Sequence, residues 1–200
     1  MLTNYHYLYT IYPNKQTMRK TEERKEAQEY TRSTRYRRLA AGALQRVMPG
    51  VLLDSGELLT EESLMSLLSA RQPAAVMNLV SALHHYGLTT QIPDALSVAL
   101  PRGVRMRRVY GFPVQVWYTT PALLADCTRE EEGPHGRYRV TTPERTVVDC
   151  FKYRNKIGLS IFLEALAMSH GSLAPEAMYA EARRLRVLTS ILPYLKSYYS

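Results

Sequence analysis

The hydrophobic and polar positions alternate between strand-like and helix-like periods along the chain. Met1–Pro13 alternates Tyr5, Tyr7 and Tyr9 with His6, Leu8 and Thr10, a period of two that suits a short strand or a poorly ordered tail. Lys15–Tyr30 is rich in helix formers, with Thr17 or Thr21 as cap, but its apolar stripe is thin, so this helix is expected to be solvated or packed only at one end. From Thr31 the segment TRSTRYRRLAAGAL predicts a helix that starts at Ser33 or Thr34 and stops at Gly42 in a left-handed conformation. That spacing places Tyr36, Leu39 and Ala40 on one face and Arg35 and Arg38 on the other. Leu44–Val47 and Val51–Leu53 read as strands round Met48-Pro49-Gly50, where Pro followed by Gly suits a type II turn. A basic helix followed at once by a small hairpin has the outline of a winged helix-turn-helix.

Asp54-Ser-Gly-Glu punctuates the chain, which places one domain over 1–56 and a second over 57–200. Thr60–Ala70 reads as an amphipathic helix with Glu61 and Glu62 in its first turn, where negative charge suits the helix dipole. Ala74–Tyr86 is apolar at helical spacing and ends at Gly87, though its first half also suits a short buried strand. Strands are expected at Leu96–Leu100, Val114–Tyr118 and Tyr138–Thr141. A helix follows to about Lys152, capped by Thr142 with Pro143 at its first position. Further helices are expected over Gly158–Ser169, Pro175–Arg186 and Thr189–Tyr198, the last containing Pro193. The fold class is therefore α+β: an N-terminal winged helix-turn-helix, then a mixed α/β domain with C-terminal helices.

Composition narrows the function. The 200 residues are 46% apolar and 22% charged, an ordinary globular mix. No apolar run approaches the ~20 residues that span a bilayer, and Met1–Lys20 lacks the pattern of a secretory signal, so membrane and secreted classes are excluded and a cytoplasmic location is expected. Cys127 and Cys150 make no disulfide framework or zinc pattern and read as reduced thiols. Lys and Arg number 26 against 18 acids, a net charge of +8, which favours an anionic partner. The excess is concentrated: Arg32, Arg35, Arg37, Arg38 and Arg46 occupy a stretch without an acid. A second acid-free cluster is Arg102, Arg105, Arg107 and Arg108.

No catalytic constellation emerges. Phosphate-loop and dinucleotide-binding motifs are missing, as is the Gly-Ser with paired aspartates that a nucleotidyltransferase uses to hold two metal ions. Glu144 and Asp149 stand five apart, a poor spacing for one helical face, and Asp149 with Lys152 supplies only a fragment of a nuclease cluster. His84 and His85 diverge by about 100° on a helix and cannot converge on one ion. Cys150 reads as a buried thiol, and Glu130-Glu131-Glu132 as a solvated loop or a dock for a basic partner. No cofactor, metal or catalytic residue is expected. Arginine supplies a bidentate fork for phosphate or guanine, so Arg32, Arg35, Arg37, Arg38 and Arg46 are the expected DNA-binding residues. Arg102, Arg105, Arg107 and Arg108 form a second patch that suits DNA, a partner or water equally.

Pro49-Gly50-Val51, Ser81–Pro93 (SALHHYGLTTQIP), Ala99–Gly103 (ALPRG), Thr142–Gly158 (TPERTVVDCFKYRNKIG) and Leu163–Leu166 together resemble the AbiEi-type antitoxins. These are transcriptional regulators of bacterial type IV toxin–antitoxin systems active in abortive infection and phage defence. The likeness covers about residues 33–186, and Thr142–Gly158 is its most specific part. It implies a winged helix that binds inverted repeats in double-stranded promoter DNA as an autorepressor. It also implies a C-terminal antitoxin domain that opposes a nucleotidyltransferase toxin without a stable complex. Family members usually have two well-formed helices before the recognition helix, whereas Met1–Tyr30 is Tyr-rich and highly charged. That departure leaves a truncated winged helix as the alternative to a complete one, and a protein-interaction module that does not bind DNA as the alternative function. An enzyme built round Asp149 ranks third.

Overall fold

The computed structural model describes residues 32–124 and 126–199. The strand expected over Met1–Pro13 and the helix over Lys15–Tyr30 lie outside the described residues. The chain is mixed α+β and divides into two compact units. Among the described residues the first comprises 32–60 with Arg107–Pro113, and the second 61–106 with 114–199.

The first unit holds α1 (Arg32–Ala40), β1 (Leu44–Met48) and β2 (Val51–Asp54). Gly42 ends α1 with φ +71°, where a side chain would be strained. Its N–H bonds to Leu39 O at 3.2 Å, and the Ala43 N–H reaches Arg38 O at 2.9 Å, the pair of bonds that makes a Schellman stop. The antiparallel hairpin turns at Pro49-Gly50, with Gly50 at φ +80° as a type II turn requires. A register shift between Arg46 and Met48 puts one extra residue into β1, so Val47 and Met48 are both buried despite being neighbours. Residues 107–113 attach where the Tyr110 N–H donates to Val47 O at 2.7 Å. The described part of this unit contains one helix and a hairpin, so a helix-turn-helix pair is not among the described residues.

The second unit is built on a five-stranded mixed sheet in the order β5-β4-β3-β7-β6, from β3 (Val76–Met77), β4 (Leu96–Pro101), β5 (Val114–Thr119), β6 (Thr128–Gly133) and β7 (Gly136–Thr141). Pairs β3/β7 and β4/β5 are parallel, and β3/β4 and β6/β7 antiparallel. Strand β4 is buried from Leu96 to Leu100, as its mainly apolar sequence suits, with Ser97 the one polar residue of the run. Seven helices belong to this unit: α2 (Glu61–Arg71), α3 (Leu79–His85), α4 (Pro143–Lys152), α5 (Arg154–Ile157), α6 (Leu159–Met168), α7 (Pro175–Arg184) and α8 (Leu188–Tyr199). The main core gathers Leu83 of α3, Val147 and Phe151 of α4, Phe162 of α6, Met178 of α7 and Ile191 of α8. Trp117 of β5 closes it from the sheet. Phe151, Phe162 and Tyr194 stack mutually at 4.9–5.6 Å between ring centres.

In Ala74–Tyr86 the first half is the short buried strand that the sequence also suited, followed by a helix from Leu79, which is buried at φ +48°. One sequence expectation is corrected. Glu130-Glu131-Glu132 is part of the edge strand β6 and not a loop, since it pairs along β7 and Arg137 bridges to Glu132 at 2.6 Å.

Candidate nucleic-acid interface

Within the first unit, Arg32, Arg35 and Arg37 of α1 open onto one surface groove with Arg46 of β1. Tyr36, Leu39 and Leu52 supply its apolar walls. The expected division of α1 into an apolar and a basic face is corrected here: Tyr36 is 74% exposed, and Arg35, Tyr36 and Leu39 border the same groove. On the same helix, Arg38 Nη2 donates to Asp54 Oδ1 at 2.7 Å, so that side chain reaches toward the hairpin. Arg38 is thus engaged in an exposed ion pair, while the other four arginines of the first cluster meet. The buried Nε of Arg35 has no hydrogen-bond partner, which leaves that guanidinium with unused donor capacity.

The second cluster, contiguous in sequence, is shared between the units. Arg107 and Arg108 belong to the first unit, where the Arg108 guanidinium lies 5.1 Å over the Tyr110 ring. Arg102 and Arg105 belong to the second, where the Arg105 carbonyl accepts from Gln72 Nε2 at 3.0 Å. Among the described residues, the first unit therefore carries Arg107 and Arg108 besides the five arginines of the first cluster, against Asp54 and Glu57. Such an excess on a few tens of residues suits a polyanion.

The second unit contains a charged knot that the sequence reading passed over. Arg145, 2% exposed at its side chain, donates from Nε to Asp149 Oδ2 at 2.7 Å. Its Nη1 reaches Leu123 O at 2.7 Å, Glu181 Oε2 at 3.1 Å and Cys127 Sγ at 3.4 Å. Burial pushes the Asp149 carboxyl up, and the Arg145 guanidinium pulls it back toward the ionised form. Burial also raises both thiols, Cys150 well above the ordinary value, so neither is held as a thiolate. The knot joins α4, α7 and the short turn Pro121–Leu123, with Asp149 buried and Glu181 partly exposed. The signal for it was the i,i+4 spacing of Arg145 and Asp149, but Glu181 is brought in only by the fold.

His84 and His85 take separate partners, as their divergence on a helix requires. His84 Nδ1 lies 3.0 Å from Glu61 Oε2, and His85 Nδ1 lies 3.1 Å from Glu62 Oε1. Glu61 also accepts from the Ser81 hydroxyl, which ties the first turn of α2 to α3. Among the described residues, no group of three or more His, Cys, Asp and Glu is placed to hold a metal ion, and no helix is long and apolar enough to cross a membrane. In comparisons with known proteins, the sequence matches no protein-family model and no curated protein.

Proposed function

We propose that this protein is a DNA-binding antitoxin and transcriptional autorepressor of a type IV toxin–antitoxin operon. In this reading the first unit binds inverted repeats in the operon's promoter, and the second opposes a nucleotidyltransferase toxin without forming a stable complex with it. The protein acts in the bacterial cytoplasm and is not an enzyme. The observation that carries the DNA half is the convergence of Arg32, Arg35, Arg37 and Arg46 on one groove beside a two-stranded hairpin. Helix α1, nine residues and so about 13 Å long, has a size suited to a major groove, and arginine is the side chain best fitted to phosphate and guanine. The antitoxin half rests on the sequence resemblance over residues 33–186.

A single set of titrations tests the DNA half. The full chain is bound to a labelled duplex from its own upstream region, and the affinity is followed with salt. Four phosphate-contacting arginines give a slope of about −3.6 in log K against log salt, or roughly a hundredfold loss between 50 and 200 mM. Arg35→Ala with Arg37→Ala and Arg46→Ala lowers affinity and flattens the slope. Arg38→Ala, whose partner is Asp54, changes both far less. Binding that ignores salt, or an unchanged triple variant, refutes the assignment. Co-expression with the toxin encoded alongside tests the other half, and growth arrest in the presence of this chain counts against it.

The alternative, an interaction module that does not bind DNA, is favoured by one observation: α1 places no fully buried side chain. It predicts no shift of the upstream duplex at low salt while toxin suppression persists.

A further inference from the structure

The second unit carries a cationic and aromatic cluster that the reading above leaves without a role. Trp117, the single tryptophan of the chain, packs on Tyr153 with ring centres 4.8 Å apart. Lys156 Nζ stands 5.6 Å from the centre of the Trp117 ring, and Lys152 Nζ stands 5.4 Å from that of Tyr153. Arg102 follows β4 directly, and its N–H is fixed to Thr119 O at 2.8 Å, beside the end of β5. Thr119 lies two positions beyond Trp117 on β5, which sets Arg102 beside the same stretch of that strand. Desolvation lowers the Lys152 ammonium, Asp149 opposes that, and the positive charges of Arg145 and Arg102 lower it further. The one acid acting on Lys152 is Asp149, whose carboxylate is buried and held by Arg145 at 2.7 Å. Among the described residues, Arg102, Lys152 and Lys156 make no side-chain ion pair.

Three cations without an ion-pair partner, set beside two packed rings, present a local positive surface to which an anion is drawn. Lys152 also lies in the last turn of α4, where the helix dipole welcomes a cation, but this accounts for neither Arg102 nor Lys156. We propose that Arg102, Lys152 and Lys156, arranged at the Trp117–Tyr153 ring pair, form a binding site for short single-stranded nucleic acid. The cations take successive phosphates, and the partly exposed Tyr153 ring offers a face to an unpaired base. A duplex is the poorer fit, because its base faces are already stacked and α5, four residues long, gives nothing to enter a groove. An acidic peptide could answer the charges but would leave the rings unused. The site lies wholly in the second unit and does not depend on duplex binding by the first.

The test uses the full chain and the fluorescence of Trp117, which reports this site alone because no other tryptophan is present. Titration with a short uridine oligonucleotide quenches Trp117. Three phosphate contacts give a slope near −2 on a log–log salt plot, so affinity falls about twentyfold between 50 and 200 mM. Lys156→Glu, at an exposed position where folding is not at stake, weakens binding at least tenfold, and Arg102→Gln with Lys152→Gln weakens it further. Arg35→Ala with Arg37→Ala leaves it unaltered. The proposal is overturned if the oligonucleotide produces no quench. It is equally overturned if Lys156→Glu binds as the parent does, if polyglutamate quenches equally well, or if the Arg35/Arg37 variant abolishes the response.

Discussion

Replacing Arg145 by Met removes the centre of the charged knot and leaves the Asp149 carboxylate, 7% exposed at its side chain, without a cation. Glu181 is less affected, because it is 15% exposed and keeps Arg184 at 3.6 Å. An uncompensated buried charge costs about 3–5 kcal/mol, and the Leu123 carbonyl, deprived of its donor, adds about 1 kcal/mol. A domain of this size gains its whole stability from about 5–15 kcal/mol, so Arg145→Met is expected to lower the midpoint of the second unit by roughly 10–20 °C. The double variant Arg145→Met/Asp149→Leu removes the stranded charge and is expected to recover at least half of the loss. In the single variant burial acts on Asp149 with only Lys152 left to oppose it, so its folded-state pKa lies above the unfolded value. The deficit is full above that folded value and shrinks as pH falls through it and the carboxyl is protonated. Urea denaturation followed by Trp117 fluorescence measures this, since the sole tryptophan lies in the second unit. A single variant within about 1 kcal/mol of the parent, or a coupling energy between the two positions below about 0.5 kcal/mol, refutes the account of the knot.

Other sites yield sharper or smaller effects. Tyr86→Phe loses a 2.8 Å bond to Thr141 O and costs about 1 kcal/mol. Burial pushes the Tyr86 phenol up to about 12, so its contribution is complete below the ordinary tyrosine value and disappears as pH rises through 12; the Phe variant lacks this alkaline step in a denaturation series. Gly133→Ala would place a methyl 3.0 Å from Ser66 Cβ and from the Tyr138 ring, at a cost of about 1–3 kcal/mol; an unchanged thermal midpoint refutes it. Bonds from Thr90 hold the Glu164 carboxyl below its usual range, so the tie from α6 to the Thr89–Gln91 turn persists above that range and is lost as pH falls through the folded value, which the Thr90 amide shift follows by NMR. Arg38→Ala removes an exposed ion pair worth less than about 1 kcal/mol and leaves the thermal midpoint nearly in place.

Local chemistry was the legible part of this chain. Thr142 and Pro143 announce α4, and the Thr142 hydroxyl does accept from the Arg145 N–H, at 3.4 Å. Gly42 and Gly50 mark a helix stop and a hairpin turn through the positive φ they adopt. Strand β6 was hidden because its three glutamates read as solvent-loving, whereas an edge strand tolerates charge when a cross-strand cation such as Arg137 answers it. The exposure of Tyr36 was hidden too, because periodicity gives the faces of α1 but not which of them the hairpin covers. Arg102–Arg108 reads as one basic patch by proximity along the chain, yet its ends are built into different units. The cation cluster at Trp117 escaped notice for the same reason: Arg102 belongs to a segment that only the fold brings to Lys152 and Lys156.

The strip from Arg107 to Pro113 borders the hairpin yet is encoded between β4 and β5, and this fixes an order of events during synthesis. The hairpin leaves the ribosome first and must wait, with the Val47 carbonyl open, until Tyr110 has emerged. By then β4 is out but still lacks its parallel neighbour. The first unit therefore has all its described pieces once residue 113 is out, while the second still awaits β5 to β7 and the helices of its core, and a nick between 61 and 106 cuts the hairpin off from the strip that completes it.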